Sequence, residues 1–475
     1  MEDLVLESHI PSDFIVRNIS NDSRKIGKDS IFVAISGAKM DGHLFVSDAL
    51  QRGASAVVCH KEIQRIPGVA YIRVKDPYSA YARLSEAYFD FPARSLELFG
   101  VTGTNGKTTS AFLMEKILSA NALKTGLIST VVYKNGNTET IAERTTPEAW
   151  ELQKLFHEIV SNGASHAVME VSSHALDQNR IASAKFAGIL FTNLTGDHLD
   201  YHGNMENYYG AKKILFTEHA DSNTVAAINI DDPSGRRLAK ECSAGRMATF
   251  GKSPDADCRI AGYEMSQQCT KLSVTYNSQT IKLDSPLIGE FNAYNLTGVV
   301  AMSLLYGISP DSMQKALDGG IQVPGRMERF QTRSGAVVFV DYAHTDDALE
   351  RVLETLKKLK HKSLTAVFGC GGDRDRSKRP RMGAAASKFA DRMIVTSDNP
   401  RTEDPELIIN EIRAGIPDNV SYKIIPDRRE AIACAISEAS AGDIVLIAGK
   451  GHENYQEIHG VKYPFDDRVE VLRIG

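Results

Sequence analysis

The 475-residue chain contains no apolar run near the ~18 residues needed to span a bilayer, which excludes a helical membrane protein. Its first residues, MEDLVLESHI, are acidic and lack both an apolar leader core and a small-residue cleavage site, so a cytoplasmic location is expected. No CxxC pair occurs. Cys59, Cys242, Cys258, Cys269, Cys370 and Cys434 are scattered, as reduced thiols are, and fit neither a zinc site nor a disulfide framework. Positive charge is not in excess: the formal net charge is -5, which disfavours nucleic acid as a bulk partner while leaving room for a local basic pocket. There is no internal repeat and no low-complexity linker. The Asn/Thr-Lys-x-Asp base-recognition motif is also missing, which counts against a nucleotide-switch protein.

What is present is an ordinary globular composition, 42% hydrophobic and 24% charged. At roughly 100–200 residues per domain, the length suggests about three domains. Apolar strand-like runs alternate with amphipathic helical stretches, the pattern of α/β layers with mostly parallel sheets. The expected strands are Ser30–Ile35, Ala54–Cys59 and Tyr71–Val74, then Leu96–Val101, Thr125–Ser129, Ala167–Val171, Ile189–Asn193 and Val225–Ile230. A third series comprises Val337–Val340, Leu364–Phe368, Met393–Thr396, Tyr422–Ile425 and Ile444–Ile447, with helices such as Asp347–Leu359 and Asp427–Ser437 between. The boundaries read from this pattern are 1–94, 95–326 and 327–475. Three polar, glycine-containing motifs, GCGGDRD, SDNPR and AGKGHE, follow directly on strands of the last series. Ligands of open parallel sheets bind beyond the carboxyl ends of strands, so this placement points to a site.

The segment Gly100-Val-Thr-Gly-Thr-Asn-Gly-Lys-Thr-Thr109 lies between a strand and a helix. Glycines let backbone N–H groups crowd around phosphate oxygens, and a helix N-terminus adds partial positive charge. Lys107 would reach the β- and γ-phosphates and the Thr108 hydroxyl would hold Mg²⁺. The strict phosphate-loop pattern is not met, because Val101 stands at the first glycine position and Gly100, Gly103 and Gly106 recur every third residue instead. The plainer reading is a glycine-rich turn with an exposed lysine; the strand–turn–helix context weighs against it.

The loop TGTNGKTT, and with it essentially the whole chain, resembles the Mur ligases and their relatives the folylpolyglutamate synthetases. The likeness is greatest to the branch that adds diaminopimelate as third amino acid to UDP-N-acetylmuramoyl-L-alanyl-D-glutamate. It implies a UDP-muramoyl-binding first domain, a central P-loop-type ATP-binding domain and a C-terminal Rossmann-like domain that takes the amino acid. It also implies a monomeric ATP-dependent ligase of peptidoglycan synthesis, acting through an acyl phosphate on small molecules, with neither nucleic acid nor membrane as partner. A folylpolyglutamate-type ligase, the alternative within the superfamily, fits the loop but neither NDSRK nor DNPR.

The resemblance assigns roles residue by residue. Gly103, Thr104, Asn105, Gly106, Lys107, Thr108 and Thr109 would hold ATP, together with Asn292 (and Asn295) in GEFNAYNL, Arg326 in VPGRME and Asp341 in VDYAHTDDAL, where His344 follows. Glu170 in MEVSSHAL and Thr108 would bind one Mg²⁺; His198 in TNLTGDHLDYHG would bind a second, assisted by Lys212 as its CO₂-derived carbamate, N6-carboxylysine. The neighbouring Lys213 reads as a surface lysine. Ser23, followed by Arg24, would contact UDP, and Thr145, Thr146, Ser172, Gln178 and Arg180 would hold the muramoyl dipeptide. Diaminopimelate would fall to Arg374, Asp398, Asn399, Pro400, Arg401, Gly449 and Glu453. Diaminopimelate differs from lysine by one distal carboxylate, and a guanidinium in a rigid turn can grip that group at two points. Family members commonly carry proline where Asp346 stands; the departure lies just past its motif and is expected to be harmless.

Overall fold

The computed structural model describes residues 3–10, 15–37 and 40–475. Its contacts divide the chain into two units, one running to Arg259 with Asn295–Met313 added, the other comprising Ile260–Tyr294 and Gln314–Gly475.

The first unit carries two sheets. In the smaller, the order is Val5–His9, Ala70–Val74, Ala54–Cys59, Ser30–Val33 and Asn18–Ser20. The later strands pair in parallel and Val5–His9 adds an antiparallel edge. The larger sheet is built on Glu97–Thr102, which lies parallel between His166–Glu170 and Gly188–Phe191. Thr125–Ile128 flanks one side, and Val225–Asn229 then Arg246–Gly251 the other. Strands covered on both faces read as continuous apolar runs, and His166–Glu170 and Gly188–Phe191 are buried at every position. These strands are legible for that reason. Half-exposed antiparallel additions such as Val132–Lys134 with Glu139–Ile141 are not.

The second unit holds a sheet in the order Glu328–Gln331, Val337–Asp341, Ile444–Ala448, Leu364–Phe368, Arg392–Val395 and Tyr422–Ile424. All neighbours are parallel except the Glu328–Gln331 edge. The helix Asp346–Lys358 buries Leu349, Val352, Leu353 and Leu356, the i, i+3, i+4, i+7 stripe that its sequence shows. Because Ile444–Ala448, Leu364–Phe368 and Arg392–Val395 are consecutive neighbours, the three polar motifs emerge side by side.

All six cysteines are free thiols. Among the described residues no helix is long and apolar enough to cross a membrane.

Candidate active site

Strand Glu97–Thr102 ends in the glycine-rich loop, and helix Lys107–Ala120 begins directly after it. Two glycines are required there. Gly103 has φ +147° and a Cβ would lie 1.9 Å from Thr192 Oγ1; Gly106 has φ +88° and a Cβ would lie 2.2 Å from Asn295 Oδ1. The loop is tied to the end of the neighbouring strand. Thr104 N–H donates to Asn193 O (2.9 Å), Asn105 N–H to Asn193 Oδ1 (2.9 Å), and Thr192 Oγ1 to Asn105 O (2.6 Å). Lys107 Nζ folds back onto the carbonyls of Gly103 (3.0 Å) and Thr104 (2.7 Å). Thr108 and Thr109 are buried in the first helical turn.

Glu170 ends its strand wholly buried, with Thr108 Oγ1 donating to Oε2 at 3.0 Å and Thr130 N–H to Oε1 at 2.7 Å. Thr130 Oγ1 lies 3.1 Å from Oε2 and 3.0 Å from Thr145 Oγ1, so it links the carboxylate to the ERTTPE segment. Sequence reasoning missed Thr130. Its position just past strand Thr125–Ile128 was the available signal.

The expected dipeptide-binding residues join this cluster. Thr146 Oγ1 donates to Glu170 O (2.8 Å) and accepts from Ser172 N–H (3.0 Å). Arg180 reaches Thr146 O (2.9 Å), Gln178 Oε1 (2.6 Å) and the Glu148 carboxylate (3.0 Å). Ser172 also caps the helix Ser173–Asp177 through Ala175 N–H. Ser23 and Arg24 lie apart in the smaller sheet's segment. Ser23 is buried; Arg24 is exposed and pairs with Asp22 at 2.8 Å.

Lys212 lies on helix Met205–Thr217, 2% exposed, with Nζ donating to Gly103 O at 2.9 Å. Burial drives its ammonium well below the ordinary lysine value, and Lys107 pushes the same way against Asp197. Lys213 pairs with Glu241 at 3.0 Å and is about a third exposed, the surface lysine expected. His198, at φ +54°, opens the short helix Leu199–His202, its side chain 47% exposed and 3.6 Å from the Asp197 carboxylate. Its ring centroid lies 4.9 Å from His174, another residue of MEVSSHAL that sequence reasoning passed over. Burial, then the nearby His198 and His202, lower His174 to about 4, so its imidazole is neutral at pH 7.

Magnesium fits part of this set. It favours one or two carboxylates with substrate phosphates and water rather than an all-protein cage, and Glu170 and Thr108 supply hard oxygens beside the phosphate loop. Among the described residues no group of three or more His, Cys, Asp or Glu side chains could hold a metal alone. Lys212 as an amine is no ligand for it.

The second unit holds the remaining residues. Asp341 is buried, its carboxylate taking Met327 N–H (2.7 Å) and Ala343 N–H (2.8 Å); burial raises its pKa above the usual carboxylate value against the pull of Arg326. The Arg326 guanidinium lies 4.5 Å over the Tyr342 ring. Asn292 is buried and bonds Ile288 O at 2.8 Å. His344 Nδ1 lies 2.8 Å from Tyr342 O.

The three motifs interlock. A Cβ on Gly372 would strike Pro400 O at 1.9 Å, one on Gly369 Thr396 O at 2.3 Å, and one on Gly449 Asp398 Oδ2 at 2.4 Å. Arg401 adopts φ +53° and its Nη1 donates to Gly372 O at 2.7 Å, with Glu457 3.5 Å from Nε. Non-glycine residues held at positive φ cluster at ligand sites. Arg374 is exposed, and a Cβ on Gly371 would meet both its Cγ (3.9 Å) and Arg401 Nη1 (2.9 Å); among the described residues it has no hydrogen bond or ion pair. Asn399 Nδ2 donates to Glu453 Oε2 at 2.8 Å. Sequence reasoning missed three buried cations around these loops: Lys450, Arg379 and Arg428. Arg379 binds Glu403, Glu411 and Gly371 O, and holds Glu403 down to about 2.

Residues 15–89 match the model described as Mur ligase family, catalytic domain; residues 101–303 match the Mur ligase middle domain; residues 325–451 match the Mur ligase, glutamate ligase domain. A protein of Aquifex aeolicus, named UDP-N-acetylmuramoyl-L-alanyl-D-glutamate–2,6-diaminopimelate ligase, is 44% identical over 97% of this chain and 93% of its own. The chain belongs to the Mur ligase family. A Geobacter metallireducens protein of the same name is 42% identical over 95% of the chain and 92% of its own. Among solved structures, one titled as that ligase is 36% identical, with a TM-score of 0.67 over 96% of this chain and 94% of that one. A Thermotoga maritima MurF ligase in complex with ADP shares the fold at 20% identity, TM-score 0.63, over 96% of each chain. Since the Mur ligase matches take in the first domain as well as the loop, they fit the Mur reading rather than a folylpolyglutamate-type ligase.

Proposed function

We propose that this Mur ligase adds meso-diaminopimelate to UDP-N-acetylmuramoyl-L-alanyl-D-glutamate, cleaving ATP to ADP and phosphate, in peptidoglycan synthesis. The observation that carries the reading is the Asp398–Arg401 turn, locked between the other two motifs with the Arg401 guanidinium held on Gly372 O.

A carboxylate oxygen of the dipeptide attacks the γ-phosphorus of ATP, and the bond to the β-phosphate oxygen breaks. The resulting acyl phosphate is attacked at its carbonyl carbon by the diaminopimelate amine, which loses a proton as phosphate departs. Lys107 leaves its loop carbonyls to meet the charge on the transferring group. Arg180 and the hydroxyls of Thr145, Thr146 and Ser172 orient the dipeptide, with Gln178 bracing the arginine. Ser23 serves UDP, and Asn292, Arg326 and Asp341 serve the nucleotide.

Thr108 and Glu170 would hold one Mg²⁺, and His198 with a carbamate on Lys212 a second. When bound, the ions supply positive charge to the phosphate oxygens. Burial and Lys107 both weaken the hold of Lys212 on its proton, and the unprotonated amine is the form that can add CO₂: the nitrogen bonds carbon, a C=O π bond opens to an oxygen anion, and the nitrogen loses a proton. The reading assigns 1–94 to UDP-muramoyl, 95–326 to ATP and 327–475 to the amino acid. It describes a monomeric cytoplasmic enzyme whose product feeds cell-wall growth, and through it cell shape and division.

The test is a coupled assay of ADP release. ADP should appear only with both the UDP-muramoyl dipeptide and diaminopimelate present, alongside a product of the summed mass less water. Slow hydrolysis indifferent to both substrates would contradict the assignment.

A further inference from the structure

Lys450, in the middle of AGKGHE, has a fully buried side chain. Its Nζ lies 3.1 Å from Asn399 Oδ1 and 3.3 Å from Glu453 Oε2, with the Tyr455 ring centroid 5.5 Å away. Asn399 Oδ1 also accepts Glu457 N–H at 2.9 Å. An ammonium and a backbone amide can only donate, so the orientation of the Asn399 side chain is settled: oxygen toward Lys450, nitrogen toward Glu453. One amide N–H and Glu453 Oε1 then have no hydrogen bond among the described residues. Burial raises the pKa of Glu453 above the usual carboxylate value, and Lys450 is the strongest influence opposing it.

We infer that Lys450 is a positioning residue for the amino-acid substrate. Its ammonium orients the Asn399 amide at 3.1 Å and pairs with the Glu453 carboxylate at 3.3 Å, so that the two side chains offer one N–H donor and one carboxylate oxygen, complementary to the carboxylate and ammonium of an α-amino-acid end. This role rests on the proposed reading of the pocket as the diaminopimelate site. A purely structural lysine would leave the three Michaelis constants in proportion when removed; a positioning one would not.

The experiment is steady-state kinetics of Lys450→Met with each substrate varied in turn. KM for diaminopimelate should rise at least about tenfold, as expected when a buried charged partner is orphaned, while KM for ATP and for the UDP-muramoyl dipeptide stay within about twofold. An unchanged KM for diaminopimelate, or an equal rise in all three, overturns the inference. Should Lys450→Met fail to fold, the comparison is Glu453→Gln with Lys450→Met/Glu453→Gln, which removes both charges and leaves none buried alone. The double variant should show a further rise in KM for diaminopimelate alone, acting through Asn399; no further rise overturns the inference. A wild-type enzyme that ignores diaminopimelate would defeat the substrate reading itself. A wild type that uses it, with Lys450→Met unaltered, defeats only the role of Lys450.

Discussion

Two lysines at the phosphate loop share one carbonyl and differ in everything else. Both Lys107 and Lys212 donate to Gly103 O, but Lys107 is only partly buried and Lys212 is 2% exposed. Lys107→Ala should leave the fold intact, by circular dichroism and thermal melting, while lowering kcat by at least about 10²-fold, the scale on which a donor to developing charge acts. Normal turnover in the folded variant would exclude the role. Lys212→Ala should be nearly inactive and partly restored by a short carboxylic acid in solution, which replaces the missing anion. A ¹³C carbamate resonance should appear in wild-type enzyme kept in ¹³C-bicarbonate and be lost in Lys212→Arg. A fully active Lys212→Arg enzyme would contradict the carbamate, since arginine keeps the positive charge.

Elements decide whether the loops hold their places. Arg428 and Asp467 form a two-point ion pair with both side chains 0% exposed, and Arg428 Nη2 also donates to Ala448 O at 3.0 Å, at the strand end where AGKGHE begins. Asp467→Asn orphans a buried guanidinium and should cost about 3–5 kcal/mol in urea unfolding, whereas replacing both partners with apolar residues should recover much of that loss. Asp346, the one departure from the expected family pattern, sits at the first position of helix Asp346–Lys358 and pairs with Arg381 at 2.8 Å. Proline is tolerated at that position and exposed ion pairs contribute little, so Asp346→Pro should change stability by less than ~1 kcal/mol. The buried parallel strands and the motifs at their ends were legible because apolar runs and local polar motifs lie contiguously in the sequence. The antiparallel hairpin Thr270–Tyr276 with Gln279–Ser285 was not. Its turn residues Asn277 and Ser278 take positive φ, and one of its strands alternates buried with exposed, a weaker signal than a continuous run. Arg379, Arg428 and Lys450 were illegible for another reason: each acquires its role from partners such as Asp467, 39 residues from Arg428, that only folding brings near.

For the molecule as a whole, the formal charge is -5 although the proposed substrates carry phosphates and carboxylates. On the proposed reading recognition is local, through cations: Lys107, Arg180 and Arg401, which hydrogen bonds hold in place, and the exposed Arg374. On that reading selectivity rests on Arg401. Hydrogen bonds to charged groups contribute roughly 1.5–3 kcal/mol, and more is lost when a buried partner is left alone. At ~1.4 kcal/mol per tenfold, the distal carboxylate against Arg401 should favour diaminopimelate over lysine by at least about 10–100-fold. The most direct test is kcat/KM for both amino acids in wild type and Arg401→Ala. Wild type should prefer diaminopimelate by that margin, and Arg401→Ala should lose most activity with diaminopimelate and proportionally less with lysine. A wild type that uses lysine equally well, or a mutation that leaves the ratio unchanged, would contradict the account.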